Sequence, residues 1–399
     1  MSSSEISADA QRYNLVWASF DPQPWRSSNP QALVSRYYIP LEDNELISGH
    51  NLQWWQQNHP DWILYACTSN GTPTQELAYT PGDGFPDVPL DIHNPAVVQY
   101  QLQSLIAYAQ ANGDNAVAID EIVFQDIMEG GNPELGQSVV SGDYGCGVYP
   151  DATSANPYAG TFSAVYQSTT DPQWTADILN WVEQARAATS AAGLALLVNH
   201  PAGSITNPNE QTLARNVDAL VDEAGFSDYG NYQNGSNAGL FSTTYAYAEW
   251  LEAQGVEFVD IDRYAFSGES EPSSDQLEWS IATYLMANEG NEDLYVNANN
   301  SSTSGYGTEQ YHQEYATPIG QPCSAMYGGS SYSANDPQIY YRRFTGGMVV
   351  VNSGSSAPEQ ATLPTDHTYT DIENRAVTNP LTVDSSDAFV MTTTGNGCS

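Results

Sequence analysis

Hydrophobic residues in this chain of 399 come in short runs separated by stretches of helical period. The sharpest run is Ala116-Val117-Ala118-Ile119, which has no polar alternation and ends abruptly in Asp120 and Glu121. Such a run predicts a strand buried on both faces, as in a parallel sheet. Comparable runs predict strands over residues 14–20, 33–40, 61–67, 115–124, 194–200, 217–226, 257–266 and 293–299. Helical spacing falls over about residues 46–58, 94–112, 171–192, 210–216, 242–254 and 274–288. Asn94-Pro95 is a strong helix opening, Asn as N-cap and Pro at the first helical position. Gly113, Gly193 and Gly255 are the stops.

Eight strands alternating with helices predict an α/β fold, a (β/α)8 TIM barrel over residues 13–323. No Gly-rich fingerprint follows the first strand, which weighs against a doubly wound nucleotide-binding sheet. Residues 1–12 are polar and read as a disordered tail. Residues 125–171 lack periodicity and carry Cys146, Tyr144, Tyr149, Tyr158 and Tyr166, so they read as an ordered wall of a cleft. After residue 323 short strands broken by Gly, Ser, Pro and Asn predict a small antiparallel β-sandwich over 324–399.

Charge narrows the partners. Nine basic residues, all Arg, face 48 acidic ones, for a formal charge of −39. Such a surface repels nucleic acid and anionic membranes, and it disfavours polyanionic substrates. High salt would screen the self-repulsion and low pH would remove it, and the Ser-, Thr- and Tyr-rich composition favours an acidic or otherwise harsh extracellular setting. Stability is therefore expected to be lower at neutral pH and low salt. The four cysteines have no zinc spacing. Pairing Cys323 with the penultimate Cys398 would tie down the tail, and pairing Cys67 with Cys146 would pin the long loop. Such bridges suit a secreted protein; the alternative is four buried thiols. No run is long and apolar enough to span a membrane, and no secretory leader is visible at the N-terminus.

The candidate chemistry lies at strand ends. In a barrel the C-terminal ends of the strands carry the reacting groups. Asp120 and Glu121 end the fourth expected strand, and Asp222 and Glu223 end the sixth. Paired carboxylates from two strand tips are the minimal apparatus for glycoside hydrolysis. Adjacent strand residues face opposite ways, and Asp120 shares its side with the small Ala116 and Ala118, so Asp120 is the favoured member of its pair. Glu121 would turn into the cleft beyond the strand, or bond to a neighbouring loop. Asp260 and Asp262 share one face beside Arg263, a structural ion pair or a substrate contact. Asn199, His200, Asn297 and Asn299 are polar strand tips able to bond sugar hydroxyls. Tyr37 and Tyr65, with Trp25, Tyr38, Trp62 and Tyr264, are candidate platforms for sugar rings. The Trp residues on helices, Trp54, Trp174, Trp181, Trp250 and Trp279, are assigned to the core. No metal-site spacing and no GxSxG occur, so neither a metal nor another cofactor is expected.

The run Trp54–Tyr65, followed by Val88–Val98, the Ala118-Ile119-Asp120-Glu121 tip and Tyr340–Asn352, resembles the glycoside-hydrolase-like TIM-barrel families, over most of residues 14–352. More distantly the layout is similar to the α-galactosidase group. That resemblance implies a nucleophile on strand four, matching Asp120, and an acid/base on strand six, matching Glu223 and less closely Asp222. The expectation is a secreted glycoside hydrolase acting on a neutral or cationic oligo- or polysaccharide. The rival is a non-catalytic carbohydrate-binding or structural protein that keeps the barrel, because fold does not fix function.

Overall fold

The computed structural model describes residues 3–19, 21–80, 87–133, 136–234, 237–264, 271–290, 292–297, 311–326, 339–354 and 358–398. The chain divides into two compact units, residues 1–200 with 215–218, and residues 201–214 with 219–399. The fold class is α/β and TIM-barrel-like, with seven parallel strands among the described residues and small antiparallel sheets toward the C-terminus.

In the first unit the parallel strands Leu15–Val16, Leu33–Tyr38, Ala116–Ile119 and Ala195–Asn199 pair in that order. Ala116–Ile119 is buried along its whole length, as an uninterrupted apolar run requires. The helices Pro95–Asn112 and Pro172–Ala192 return the chain between strands. Asn94 and Asp171 cap their N-termini by accepting from Ala96 N and Gln173 N, and Gly113 and Gly193 close them in left-handed geometry.

Three expectations change here. Residues 61–67 do not form a third barrel strand. Only Tyr65–Cys67 forms a strand there, and it pairs antiparallel with Pro73–Tyr79 and Tyr144–Val148. The tight Thr68–Thr72 turn sends the chain straight back as a hairpin, leaving no length for the crossover that a parallel neighbour needs. The stretch 125–171, expected to be ordered but without regular elements, contributes Glu129–Gly130, Tyr144–Val148 and Ser163–Ala164 to the same five-stranded side sheet. Ser3–Asp9 is helical rather than irregular, and Ile6 and Ala10 pack against Trp25.

The second unit holds the parallel strands Ala219–Asp222, Glu257–Arg263 and Glu292–Asn297. The helices Asn237–Gln254 and Ser274–Ala287 follow the first two of these. A capping box between Ser273 and Gln276 starts the second helix. Its last carbonyls, of Leu285 and Met286, and that of Asn288 accept from the buried Arg342 guanidinium, which gives a scarce cation a structural task. Arg342 belongs to a four-stranded antiparallel sheet of Ile339–Phe344, Gly347–Asn352, Asp387–Thr393 and Tyr369–Asp371. A ribbon of Glu359–Ala361 and Leu381–Val383 covers it through a core that includes Met348, Val350, Ala361, Leu363, Val383 and Met391. That is the expected small sandwich. Asn299 and Phe266, at the ends of two expected strands, lie outside the described residues.

Both expected disulfides form, Cys67–Cys146 and Cys323–Cys398, across 79 and 75 residues. Each closes a long loop in the unfolded chain. Replacing either pair with serine is expected to lower stability by about 2–5 kcal/mol, read from urea unfolding.

Candidate active-site carboxylates

Asp120 leaves the Ala116–Ile119 strand at its C-terminal end. Its backbone still follows the sheet, with Asp120 N donating to Tyr38 O at 3.0 Å. Tyr37 lies beside Ala118 in the register, and the small Ala118 leaves its ring room to extend along the sheet face. The Tyr37 hydroxyl donates to Asp120 Oδ2 at 2.7 Å. Glu121 N donates to Oδ1 at 2.9 Å, so both carboxylate oxygens are held.

Glu121 has φ +58, a left-handed conformation that a residue with a side chain adopts at a cost. The strand therefore stops at Asp120, and alternation no longer governs where Glu121 points. The next turn is pinned from outside. His200 is buried, and its Nδ1 donates to Ile122 O at 2.5 Å, with the ring against Phe124. Trp174 Nε1 donates to Val123 O and Thr175 Oγ1 to Phe124 O. His200, expected to touch substrate, is thus occupied in holding the loop behind Asp120. Asn199, one residue earlier, is half-buried.

The second unit carries the other expected pair, and the two neighbours differ sharply. Asp222 is buried, accepting from Ala202 N at 3.0 Å on Oδ2 and from Ala224 N and Gly225 N at 3.1 and 3.2 Å on Oδ1. It caps the turn that ends its strand. Glu223 faces outward enough to remain part-exposed, and its Oε1 is ion-paired with Arg263 Nη1. Arg263 also lies over the Tyr229 ring at 5.6 Å. Tyr229 reaches that place through the left-handed run Asp228, Tyr229 and Gly230, with φ of 48, 54 and 87. The expected pairing of Arg263 with Asp260 and Asp262 is therefore corrected. Alternation along Glu257–Arg263 turns Arg263 away from the face those two share.

Asp260 and Asp262 are both fully buried. Burial raises both carboxyl pKa values, and the negative neighbours Asp262 and Asp222 raise that of Asp260 further. Asp262 Oδ1 accepts from Ser227 N at 2.7 Å. The two carboxyls crowd Gly225, which has φ +51, and a Cβ there would collide with Asp260 Oδ1. Gly225→Ala is expected to cost more than about 2 kcal/mol in chemical denaturation, combining strain with the collision. Asn297 is buried too, its Nδ2 donating to Tyr295 OH at 3.0 Å. The expected substrate contacts Asp260, Asp262 and Asn297 are therefore all buried side chains.

Of the aromatic platforms, Tyr65 is corrected to core: it is 1% exposed, with Tyr149 and Tyr158 packed edge-on around it. Tyr38, Trp25 and Tyr264 are buried as well, whereas Tyr37 and Trp62 are half-exposed. Tyr229 carries no signal of its own in the sequence beyond the adjacent Gly230, which marks a turn. Among the described residues no group of three or more His, Cys, Asp or Glu could hold a metal ion, and no helix is long and apolar enough to cross a membrane.

No family model matches the chain, and no curated protein matches it. Solved structures with a similar fold include a GH27 β-L-arabinopyranosidase from Geobacillus stearothermophilus, 9% identical with a TM-score of 0.48, covering 94% of this chain and 77% of that one. A maltogenic α-amylase from Thermotoga neapolitana is 12% identical with a TM-score of 0.44 over the same shares, 94% and 77%. A GH36 α-galactosidase from Geobacillus stearothermophilus is 9% identical with a TM-score of 0.39, covering 94% of this chain and 47% of that one.

Proposed function

We propose that the protein is a secreted glycoside hydrolase of the glycoside-hydrolase-like TIM-barrel type, its barrel spanning residues 13–323 and its sandwich 324–399. Asp120 is the nucleophile, or the stabiliser of an oxocarbenium-like transition state, and Glu223 is the general acid/base. The observation that carries this reading is Asp120 itself: a strand-tip carboxylate held at both oxygens, followed at once by a left-handed Glu121. A carboxylate fixed in this way needs no reorientation as positive charge develops on the sugar. Glu223 brings an ion pair to Arg263, and it must exchange that pairing for the glycosidic oxygen when it protonates the leaving group. The formal charge of −39 favours a neutral or cationic glycan, and the two disulfides suit an extracellular setting.

The test is hydrolysis of a panel of plant, fungal and bacterial glycans, read as released reducing sugar. The engagement of Glu223 by Arg263 favours one second reading, a non-catalytic glycan binder. Glycan binding without turnover anywhere in the panel would replace the first reading by the second.

A further inference from the structure

Tyr37 sits on a neighbouring strand, 83 positions from Asp120 in sequence, yet its hydroxyl donates to Asp120 Oδ2 at 2.7 Å. We propose that Tyr37 is a positioning residue that orients the Asp120 carboxylate and holds it ionised in acid, rather than a platform for a sugar ring. This rests on the reading of Asp120 as the reacting carboxylate.

The geometry carries the assignment. The Leu33–Tyr38 strand pairs with Ala116–Ile119 residue by residue, which fixes the Tyr37 backbone beside Ala118. The ring therefore starts one residue pair short of the strand tip and reaches forward to the carboxylate. The opposite oxygen is held by Glu121 N at 2.9 Å, from a residue whose own backbone is locked left-handed. These donors, one from each side, set the plane of the carboxyl group. A hydroxyl donor favours the charged form, since a protonated carboxyl would have to give up an acceptor site. The strand neighbours Arg36 and Tyr38 turn to the other face, Arg36 toward Asp114 at 3.1 Å. For an enzyme working in acid, such a donor widens the pH range in which a nucleophile stays deprotonated.

The experiment compares wild type with Tyr37→Phe and with a singly ring-fluorinated tyrosine at position 37. Tyr37→Phe is expected to lower kcat about ten- to a hundredfold with KM little changed, the range for a hydrogen bond to a charged group. The acid limb of kcat/KM should move to higher pH by about one unit. The fluorinated residue, a stronger donor, should move that limb the other way, which a merely packing role would not do. A second readout needs no turnover: carbon-13 titration of the Asp120 carboxyl, assigned through Asp120→Asn. If wild type hydrolyses no glycan, the proposed function fails, while this titration still decides the role of Tyr37. An Asp120 titration that is the same in wild type and Tyr37→Phe overturns the inference whatever the activity.

Discussion

Asp120→Asn is expected to abolish glycan hydrolysis, by about a thousandfold or more, while leaving the melting temperature within a degree or two of wild type. The loss follows from chemistry: an amide neither attacks the anomeric carbon nor balances its developing charge. The retained fold follows from the local hydrogen bonds. The Asn carbonyl oxygen can accept from Glu121 N, and its amide can donate to the Tyr37 oxygen, so neither partner is orphaned. Glu223→Gln should be equally slow on natural linkages but should spare substrates with good leaving groups, which need no proton. The neighbours are controls with different outcomes. Glu121→Gln should keep most activity. Asp222→Asn should lose stability rather than chemistry, because the Asp222 carboxylate accepts from three backbone N–H groups and an amide turns donors toward one side of that set. An inactive Glu121→Gln beside an active Asp120→Asn would show that the residue beyond the strand, not its last member, reacts. Full activity in Asp120→Asn, Glu121→Gln, Asp222→Asn and Glu223→Gln alike would remove both strand tips from the mechanism.

What was legible in the sequence was local. Asn94-Pro95 with Gly113, and Asp171-Pro172 with Gly193, mark helix ends that the structure places at those residues. The Ala116–Ile119 run and its carboxylate tip are likewise where pattern puts them. The fate of Tyr65–Cys67 was not legible, because an apolar run does not say whether its partner lies parallel or antiparallel. The turn at Thr68–Thr72 decides that. Tyr37 could be named as a candidate, but its bond to Asp120 depends on which strands are neighbours, and no local pattern carries that. Arg263 is the opposite case. Its separation from Asp260 and Asp262 follows from alternation alone, and adjacency in sequence was the weaker guide. Burial of Asp260, Asp262 and Asn297 was hidden for another reason: a polar letter in a strand does not tell whether neighbouring elements cover it.

That hidden burial leads to the second large effect. Melting temperature is expected to fall as pH rises from about 4 to about 8, and salt at about 1 M is expected to recover only part of the loss. Burial pushes the Asp126 and Glu278 carboxyls up to about 8, and Asp43, Asp91 and Asp387 up to about 6. Asp260 and Glu292 are raised too, again chiefly by burial. In the unfolded chain the same groups release their protons near pH 4. Between the two values the folded state binds more protons than the unfolded state, so stability drops with rising pH and stops dropping once the folded groups have ionised. This is the reverse of the familiar salt-bridged carboxylate, whose contribution is lost in acid. Each unit of raised pKa corresponds to about 1.4 kcal/mol, so several such groups outweigh the usual effect of one surface charge. The formal charge of −39 adds a repulsion of the same sign, but the two separate in salt. Ions screen exposed charges and leave the cost of ionising a buried carboxyl in place. Asp126→Asn and Glu278→Gln, which imitate the protonated forms, should flatten the pH dependence at high salt without lowering stability in acid. Melting curves that are level from pH 4 to 8 in salt, with wild type and these variants alike, would mean that the buried carboxyls ionise without cost and that surface repulsion alone sets the response.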